Sequence, residues 1–325
     1  MPAQPAGWSC RLALSSLLCL AALTAFAAQP ATVPVQAVRI SAHAFYVQGK
    51  SGEVSHTNQG FNSNAGFVVT DEGVVVFDAL GTPPLGEALV GAIRSVTDRP
   101  IVRVIVSHYH ADHFYGLQAL KAQGAQVWAH EAAKPYLASD SPKLRLEERR
   151  RSLAPWVDET ARIVEPDLWI SGDVAFKLGG ITFTVYHVGP AHTPEDLALV
   201  VPEEGVFFAG DLMFGARVPF VGEADSKAWL IAIDKLEQYR PQVLVGGHGP
   251  ASHQAAQDLA LTREYLLYLR QKMGEAVEAF VPFEEAYAAT DWSRFAHLPA
   301  FEGANRRNAY NTYLLMEREL LSGSR

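Results

Sequence analysis

The sequence predicts an α+β fold in which two β-sheets pack face to face with helices outside. Short apolar runs bounded by turns alternate with amphipathic stretches, and this order occurs in two similar halves. A content of 49% hydrophobic and 19% charged residues supplies a full-sized core and excludes a coiled coil, a collagen-like repeat and disorder.

The elements follow in chain order. Residues 1–28 have a polar start with Arg11, an apolar run over 12–25 and the small-residue stretch Ala25-Phe26-Ala27-Ala28, the plan of a cleaved secretory signal peptide. The run is short for a membrane span of roughly 20 residues, so no stable membrane insertion is expected after cleavage. The expected location is periplasmic or secreted. Both cysteines, Cys10 and Cys19, lie in this segment, and the mature chain has no thiol for a disulfide, a nucleophile or a metal.

Residues 29–37, with Pro30 and Pro34, read as a linker. A single domain over 38–325 then begins with strands at 38–47 and 65–70. Asp71-Glu72-Gly73 forms a hairpin turn into a strand over 74–77 that ends at Asp78. Residues 85–96 have helical spacing after a Pro-Pro start, and 101–106 are nearly all β-branched, as in a strand buried on both faces. A helix over 113–122, a strand over 125–128 and a charged, mostly helical stretch over 132–153 complete the first half. The second half places strands at 174–178, 181–188, 197–201 and 206–209, a helix over 227–239 and a strand over 243–245. Helices over 254–273 and 305–321 form a C-terminal helical extension from about residue 253 to 325.

The net charge is −8, which gives no field to hold a polyphosphate backbone and argues against nucleic acid as a partner; a small-molecule substrate is expected. The longest block of like charge, Arg149-Arg150-Arg151, follows Glu147-Glu148 and reads as a solvated helix face.

The strongest chemical signal is His108-Tyr109-His110-Ala111-Asp112-His113, directly after the buried strand. Three imidazoles and a carboxylate on a loop leaving a rigid strand suit a divalent metal. Three further ligand-type residues, His192, Asp211 and His248, each follow a short apolar strand, with Gly beside them. Seven such side chains suit two metal ions. No Gly-x-Ser-x-Gly elbow and no mature thiol are present, so direct hydrolysis is expected without a covalent intermediate.

The order His-x-His-x-Asp-His, His, Asp, His resembles that of the metallo-β-lactamase-fold hydrolases, over roughly residues 38–252. The resemblance implies an αββα sandwich with the site at one edge of its sheets. It implies one metal on His108, His110 and His192, a second on Asp112, His113 and His248, and Asp211 bridging with a water or hydroxide. The implied metals are two zinc ions, with iron or manganese also accepted by such a donor set. The implied activity is hydrolysis of an ester, thioester, lactone or lactam by a metal-bridging hydroxide, with Asp112 relaying the proton. More closely, the chain resembles exported zinc metallohydrolases found alongside quinoprotein dehydrogenase and sulfur-oxidation gene sets. That likeness runs through residues 289–294 and 305–310 and implies a functional link to a periplasmic quinoprotein dehydrogenase system. Asp211 stands where true metallo-β-lactamases place Cys or Ser, so β-lactam turnover is expected to be weak. A mononuclear iron persulfide dioxygenase of the same fold, using His108, His192 and Asp211, is the alternative, and a non-catalytic binding module is a third.

Around the ligands, Asp78 is expected to bond the metal-binding loop or cap a turn. Tyr109 is expected to pack outward or to reach a substrate oxygen. Phe214, Arg217, Phe220 and Trp229 would wall the pocket, and Arg217 would bind a substrate carboxylate or pair at the surface. His43, His56, His130, His187, His253 and His297 read as structural or surface residues, and Tyr265 and Tyr268 as packing.

Overall fold

The computed structural model describes Met1, Ala3 and residues 29–323. The expected signal peptide lies outside the described residues apart from those two positions. Among the described residues, no helix is long and apolar enough to cross a membrane.

The first sheet runs in sequence order through β1 (Val38–Arg39), β2 (Ala44–Val47), β3 (Ala65–Thr70), β4 (Gly73–Phe77), β5 (Ile101–Ile105), β6 (Gln126–His130) and β7 (Leu168–Ile170). Its first four strands are antiparallel, and β4 to β7 are parallel. The second sheet is ordered β12 (Val243–His248), β11 (Val206–Phe214), β10 (Leu197–Val201), β9 (Ile181–His187), β8 (Val174–Leu178). Only β11 and β12 are parallel there.

Strand periodicity builds the layers. In β4, Val74 and Val76 turn to one core while Val75 and Phe77 turn to another. The second of these cores lies between the sheets and joins Phe77 and Ile105 to Phe183, Leu199 and Phe208. Outside the first sheet pack α1 (Pro83–Arg94), α3 (Leu117–Ala122) and α5 (Ser141–Ser152), through Leu89, Leu120 and Leu146. Outside the second pack α6 (Ser226–Tyr239), α7 (Ala255–Glu278) and α9 (Phe301–Ser322), through Trp229, Leu266 and Ala309. Three apolar interfaces therefore separate four layers, the expected αββα sandwich.

Several boundaries differ from the sequence expectation. The strand over 38–47 divides because Ile40 and Ser41 both donate backbone bonds to Ala44 O, closing a turn. The helix over 113–122 divides into α2 (Ala111–Phe114) and α3. Gly116 separates them, and a Cβ there would stand 1.9 Å from Ala79 O. β7, α4 (Lys134–Ala138) and α8 (Phe283–Ala289) complete the element order. Residues 29–37 do not hang free: Val33, Val35 and Ala37 pack on the first core, and Thr32 N donates to Gln59 Oε1 at 2.8 Å. The C-terminal helices share the core of the second sheet and are integral to it.

Candidate metal centre

The ligand-type side chains gather at one edge of the sandwich, most of them just past or at a strand end. β5 delivers the loop from Ser107 to His113. Beneath it lies Asp78, buried at the end of β4 in a left-handed conformation with φ 65°. Ser107 donates to Asp78 from its backbone N at 2.7 Å and from Oγ at 2.8 Å, and His113 Nδ1 lies 2.9 Å from the same carboxylate. Asp78 therefore bonds the loop and one imidazole. With Nδ1–H donated to Asp78, His113 presents Nε2 to the site.

His192 stands on the turn between β9 and β10. Asp196 closes that turn by accepting from Thr193 N and Oγ1 at 2.7 and 2.8 Å. Two bonds tie the turn to the first loop: Leu197 N to Ser107 O at 2.9 Å and Tyr109 N to Glu195 Oε1 at 3.2 Å. Asp211 lies within β11, which runs five residues beyond its expected end. A bulge at Gly210, φ 54°, turns the strand there. His248 ends β12, and its Nδ1 donates to Asn62 O at 2.7 Å, which leaves Nε2 to face inward.

The structure brings all seven predicted residues together, in two groups. The ligand atoms of His108, His110, His192 and Asp211 lie within 4.8 Å of one another, as do those of Asp112, His113 and His248. Asp211 faces both groups. Its Oδ2 lies 3.3 Å from His192 Nε2, and its Oδ1 lies 3.2 Å from His113 Nε2 and 3.4 Å from His248 Nε2.

The donor chemistry fits a pair of divalent cations. His110 Nδ1 stands 3.1 Å from His108 Nε2 and 2.9 Å from His192 Nε2. Burial keeps these rings neutral: it pushes His108 well below the usual range, His110 to about 4 and His192 to about 3. Neutral rings with nitrogens this close offer lone pairs to a common point in the right tautomers. His113 Nε2 and Asp211 Oδ1 are buried with no hydrogen-bond partner, although they are near neighbours. Burial opposes charge on His113, yet Asp211, Asp112 and Asp78 raise its pKa well above normal. Burial would likewise raise Asp112 and Asp211. His113 and His248 outweigh it, leaving Asp112 at about 2 and Asp211 well below the carboxylate range. Two buried anionic carboxylates and the raised pKa of His113 mark this point as one that takes up positive charge, and the neutral His108, His110 and His192 do not supply it.

A cleft of about 120 Å³ opens over these side chains, lined by His110, Asp112, Asp211 and His248 and by Arg217 and Phe220. Phe214 stacks on His248 at 4.9 Å, and Trp229 packs 5.1 Å from His192 behind the ligands. Of the expected wall, only Arg217 and Phe220 border the cleft. Arg217 is buried, not a surface ion pair: Nη1 donates to Gly52 O at 2.7 Å, and the guanidinium lies over Phe214. Tyr109 is placed away from substrate and away from solvent. It is 1% exposed in the first core, with its hydroxyl 3.3 Å from Val164 O. The charged stretch read as a solvated face is corrected in part: Glu147 and Glu148 are solvated, but Arg149 lines the cleft, as does Arg145 one turn earlier in α5. Of the other histidines, His43 pairs with Glu204, His56 bonds Ala154 O, and His130 stacks on His187.

Sequence reasoning missed the strap Asn62-Ser63-Asn64. Asn62 Nδ2 donates to Asp112 Oδ2 at 3.0 Å, and Ser63 Oγ donates to Asp112 O. Asn64 Nδ2 donates to Gly246 O at 2.9 Å and Gly249 O at 2.8 Å, on either side of His248. One tripeptide thus joins the first loop to the end of β12. The signal for it is three adjacent side-chain hydrogen-bonding groups immediately before an apolar strand, more than a turn requires.

Residues 58–248, more than half of the chain, match the family described as the metallo-beta-lactamase superfamily. The chain belongs to the metallo-β-lactamase superfamily. Within it, the chain is similar to the linear primary-alkylsulfatase of Pseudomonas sp. (strain ATCC 19151), 22% identical over 236 residues, 62% of this chain and 44% of that protein. It is also similar to metallo-beta-lactamase type 2 of Elizabethkingia meningoseptica, 26% identical over 219 residues, 63% of this chain and 77% of that one. Among solved structures, the metallo-β-lactamase from Pontibacter korlensis aligns with a TM-score of 0.55 and 23% identity, over 72% of this chain and 99% of its own. The sec-alkylsulfatase Pisa1 from Pseudomonas sp. aligns with a TM-score of 0.69 and 20% identity, over 86% of this chain and 50% of its own. The chain therefore spans about half the length of these alkylsulfatases. The expected superfamily, its fold and a divalent-metal donor set are borne out.

Proposed function

We propose that this member of the metallo-β-lactamase superfamily is a dinuclear metal-dependent hydrolase. It uses two zinc ions and acts on the carbonyl of an ester, thioester or lactone. The observation that carries this reading is the placement of Asp211, one carboxylate oxygen toward each ligand group. His108, His110 and His192 would hold one cation, Asp112, His113 and His248 would hold the other, and Asp211 would serve both. Bound there, the cations supply Lewis acidity and a water of lowered pKa.

The chain's own residues do the rest. Burial holds the three imidazoles of the first group neutral, so they bind a cation at neutral pH without first losing protons. Asp112 borders the cleft and is ionised. Its Oδ2 is engaged by Asn62, which leaves Oδ1 to take the proton of the attacking water. Phe220 and the buried Arg217 close the inner wall and limit water around the reacting carbonyl. Asp211 in place of Cys or Ser makes lactam turnover slow. The leader-like composition of residues 1–28 supports export to the periplasm, in the subgroup linked functionally to quinoprotein dehydrogenase systems.

The test is elemental analysis of the purified mature protein, with thioester, lactone, aryl ester, β-lactam and alkyl sulfate substrates. Two zinc ions per chain and turnover of the first three classes are expected, with Asp211→Asn and His110→Ala inactive. One iron per chain with oxygen uptake would overturn the proposal in favour of a dioxygenase. Intact hydrolysis by either variant would show that the assigned side chains are the wrong ones.

A further inference from the structure

The cleft above the ligands has a volume of about 120 Å³. It can take the reacting group but not a whole substrate, since pockets that enclose small molecules are several times larger. The remainder of a substrate must lie at the mouth, and the mouth is basic. Arg145 and Arg149 lie four residues apart on one face of α5, and both line the cleft. Arg307 reaches the opposite side from α9, with its guanidinium 5.5 Å from the Phe220 ring centroid.

These arginines are poorly neutralised compared with others on the surface. Arg263, Arg270, Arg294 and Arg306 each pair with a carboxylate of another element. Among the described residues, Arg145 makes no ion pair. Among the described residues, Arg149 pairs only with its own neighbour Glu148, at 3.6 Å, and Arg307 reaches Glu53 at 3.7 Å. Glu53 is held beside α9, where the missing side chain of Gly303 makes room for its carboxylate. Asp112 and Asp211 are turned to the imidazoles. The outer mouth thus carries three guanidiniums, with Glu53 lining the cleft beside Arg307 and Glu148 beside Arg149, on a chain of net charge −8.

We infer that Arg145, Arg149 and Arg307 form an anion-binding rim that recognises a carboxylate carried on the acyl chain of the substrate, several bonds from the scissile carbonyl. Guanidinium forks match carboxylate geometry and attract it into a low-dielectric cleft. The inference rests on the proposed hydrolase reading for its reaction, but the rim itself is a binding site and can be tested without turnover.

The kinetic test compares 4-nitrophenyl hemiglutarate with 4-nitrophenyl valerate, esters of similar length that differ in the terminal carboxylate. The zinc-loaded enzyme is expected to favour the hemiglutarate at least tenfold in kcat/KM, with the preference shrinking as salt rises. An Arg145→Gln/Arg149→Gln variant, and separately Arg307→Gln, should reduce that preference mainly through KM. Equal kcat/KM for the two esters, or equal losses on both in the variants, would overturn the rim. So would turnover of hexyl sulfate with no preference for the hemiglutarate, which would place the recognised anion at the scissile bond. The binding arm uses glutarate and chelated, metal-free protein in calorimetry. Glutarate binding that weakens at least fivefold in the double variant supports the rim even if neither ester is hydrolysed, in which case only the hydrolase reading fails. No glutarate binding by the unaltered protein would sink the rim whatever the kinetics.

Discussion

The two ligand groups are built from the same residue types but held differently. In the group of Asp112, His113 and His248, every member is fixed by a hydrogen bond from outside the group: Asn62 to Asp112, His113 to Asp78, and His248 to Asn62 O. In the group of His108, His110 and His192, only His108 has such a bond, from Nδ1 to Ser107 Oγ at 2.9 Å. His192 Nδ1 is buried without a partner, and its ring rests among Trp229, Phe214 and Phe220. One group is set by polar bonds and the other by packing. Hydrogen bonds fix ring orientation and tautomer, while packing fixes position and leaves the tautomer free. The second group is therefore expected to bind its cation with ring orientations already set, His113 giving up the proton its raised pKa holds, and the first to select its tautomer when the cation arrives.

The comparison breaks altogether if the shared residue moves. Gly247 of β12 lies against Asp211, and a Cβ there would stand 1.9 Å from Asp211 Oδ1. Gly247→Ala should displace the bridging carboxylate from both groups at once. We expect a loss of at least a hundredfold in kcat/KM and fewer than one metal ion per chain by elemental analysis, with the circular dichroism of the folded protein retained. Two ions per chain in this variant would show that Asp211 does not bridge.

A smaller effect separates the groups. Asn62→Ala removes the donor to Asp112 but keeps the backbone carbonyl that holds His248. The cation of the second group should bind roughly 10- to 100-fold more weakly, with the first group little changed, seen as one weakened step in a two-step zinc titration. Trp229→Phe probes the packed group instead. It removes a fully buried indole whose Nε1 donates to Leu212 O at 3.1 Å, behind His192. We expect a loss of about 1–3 kcal/mol in stability, measured by urea unfolding, and under tenfold in zinc affinity, confined to the first step. Weakening of the second step alone would reverse the proposed division.

This division also explains what was legible beforehand. His108 to His113 are contiguous, and His192, Asp211 and His248 each follow an apolar run, so pattern alone reaches them. Asn62 and Ser63 are ordinary loop residues until the fold places them against Asp112. Arg145 and Arg149 sit in a charged helix whose orientation toward the cleft is a tertiary fact, and local charge patterning cannot supply it. Asn305 and Asn308 were hidden by a boundary placed four residues late. The sequence reads Asn305 as the start of a helix, where Asn is favoured, but the helix begins at Phe301 and leaves both asparagines inside it, buried. Asn308 turns out to bond Pro219 O at 2.7 Å and Val221 N at 2.9 Å, anchoring the loop that presents Arg217 and Phe220. A three-residue strand such as β7 lies below what periodicity can resolve.

The smallest expected effect lies beside the centre, where His130 ends β6 and His187 ends β9. Their rings stack at 3.5 Å with planes 12° apart, joining the two sheets at the edge that carries the site. His187 Nε2 lies 3.0 Å from Pro194 O, so the pair also braces the turn bearing His192. Burial and the facing His187 lower the His130 pKa to about 4. The unfolded ring titrates near 6.5, so below that pH the unfolded chain takes up a proton that the folded ring refuses. Stability should therefore fall between about pH 6.5 and pH 4 and level off below. The partial solvent screening of the ring reduces the loss to about 1–2 kcal/mol. The measurement is melting temperature against pH for the chelated protein, so that metal release does not contribute. His130→Phe keeps a ring against His187 but cannot titrate, and should flatten that part of the curve. An unchanged slope in the variant would assign the acid sensitivity to another group and leave the stack a packing contact only.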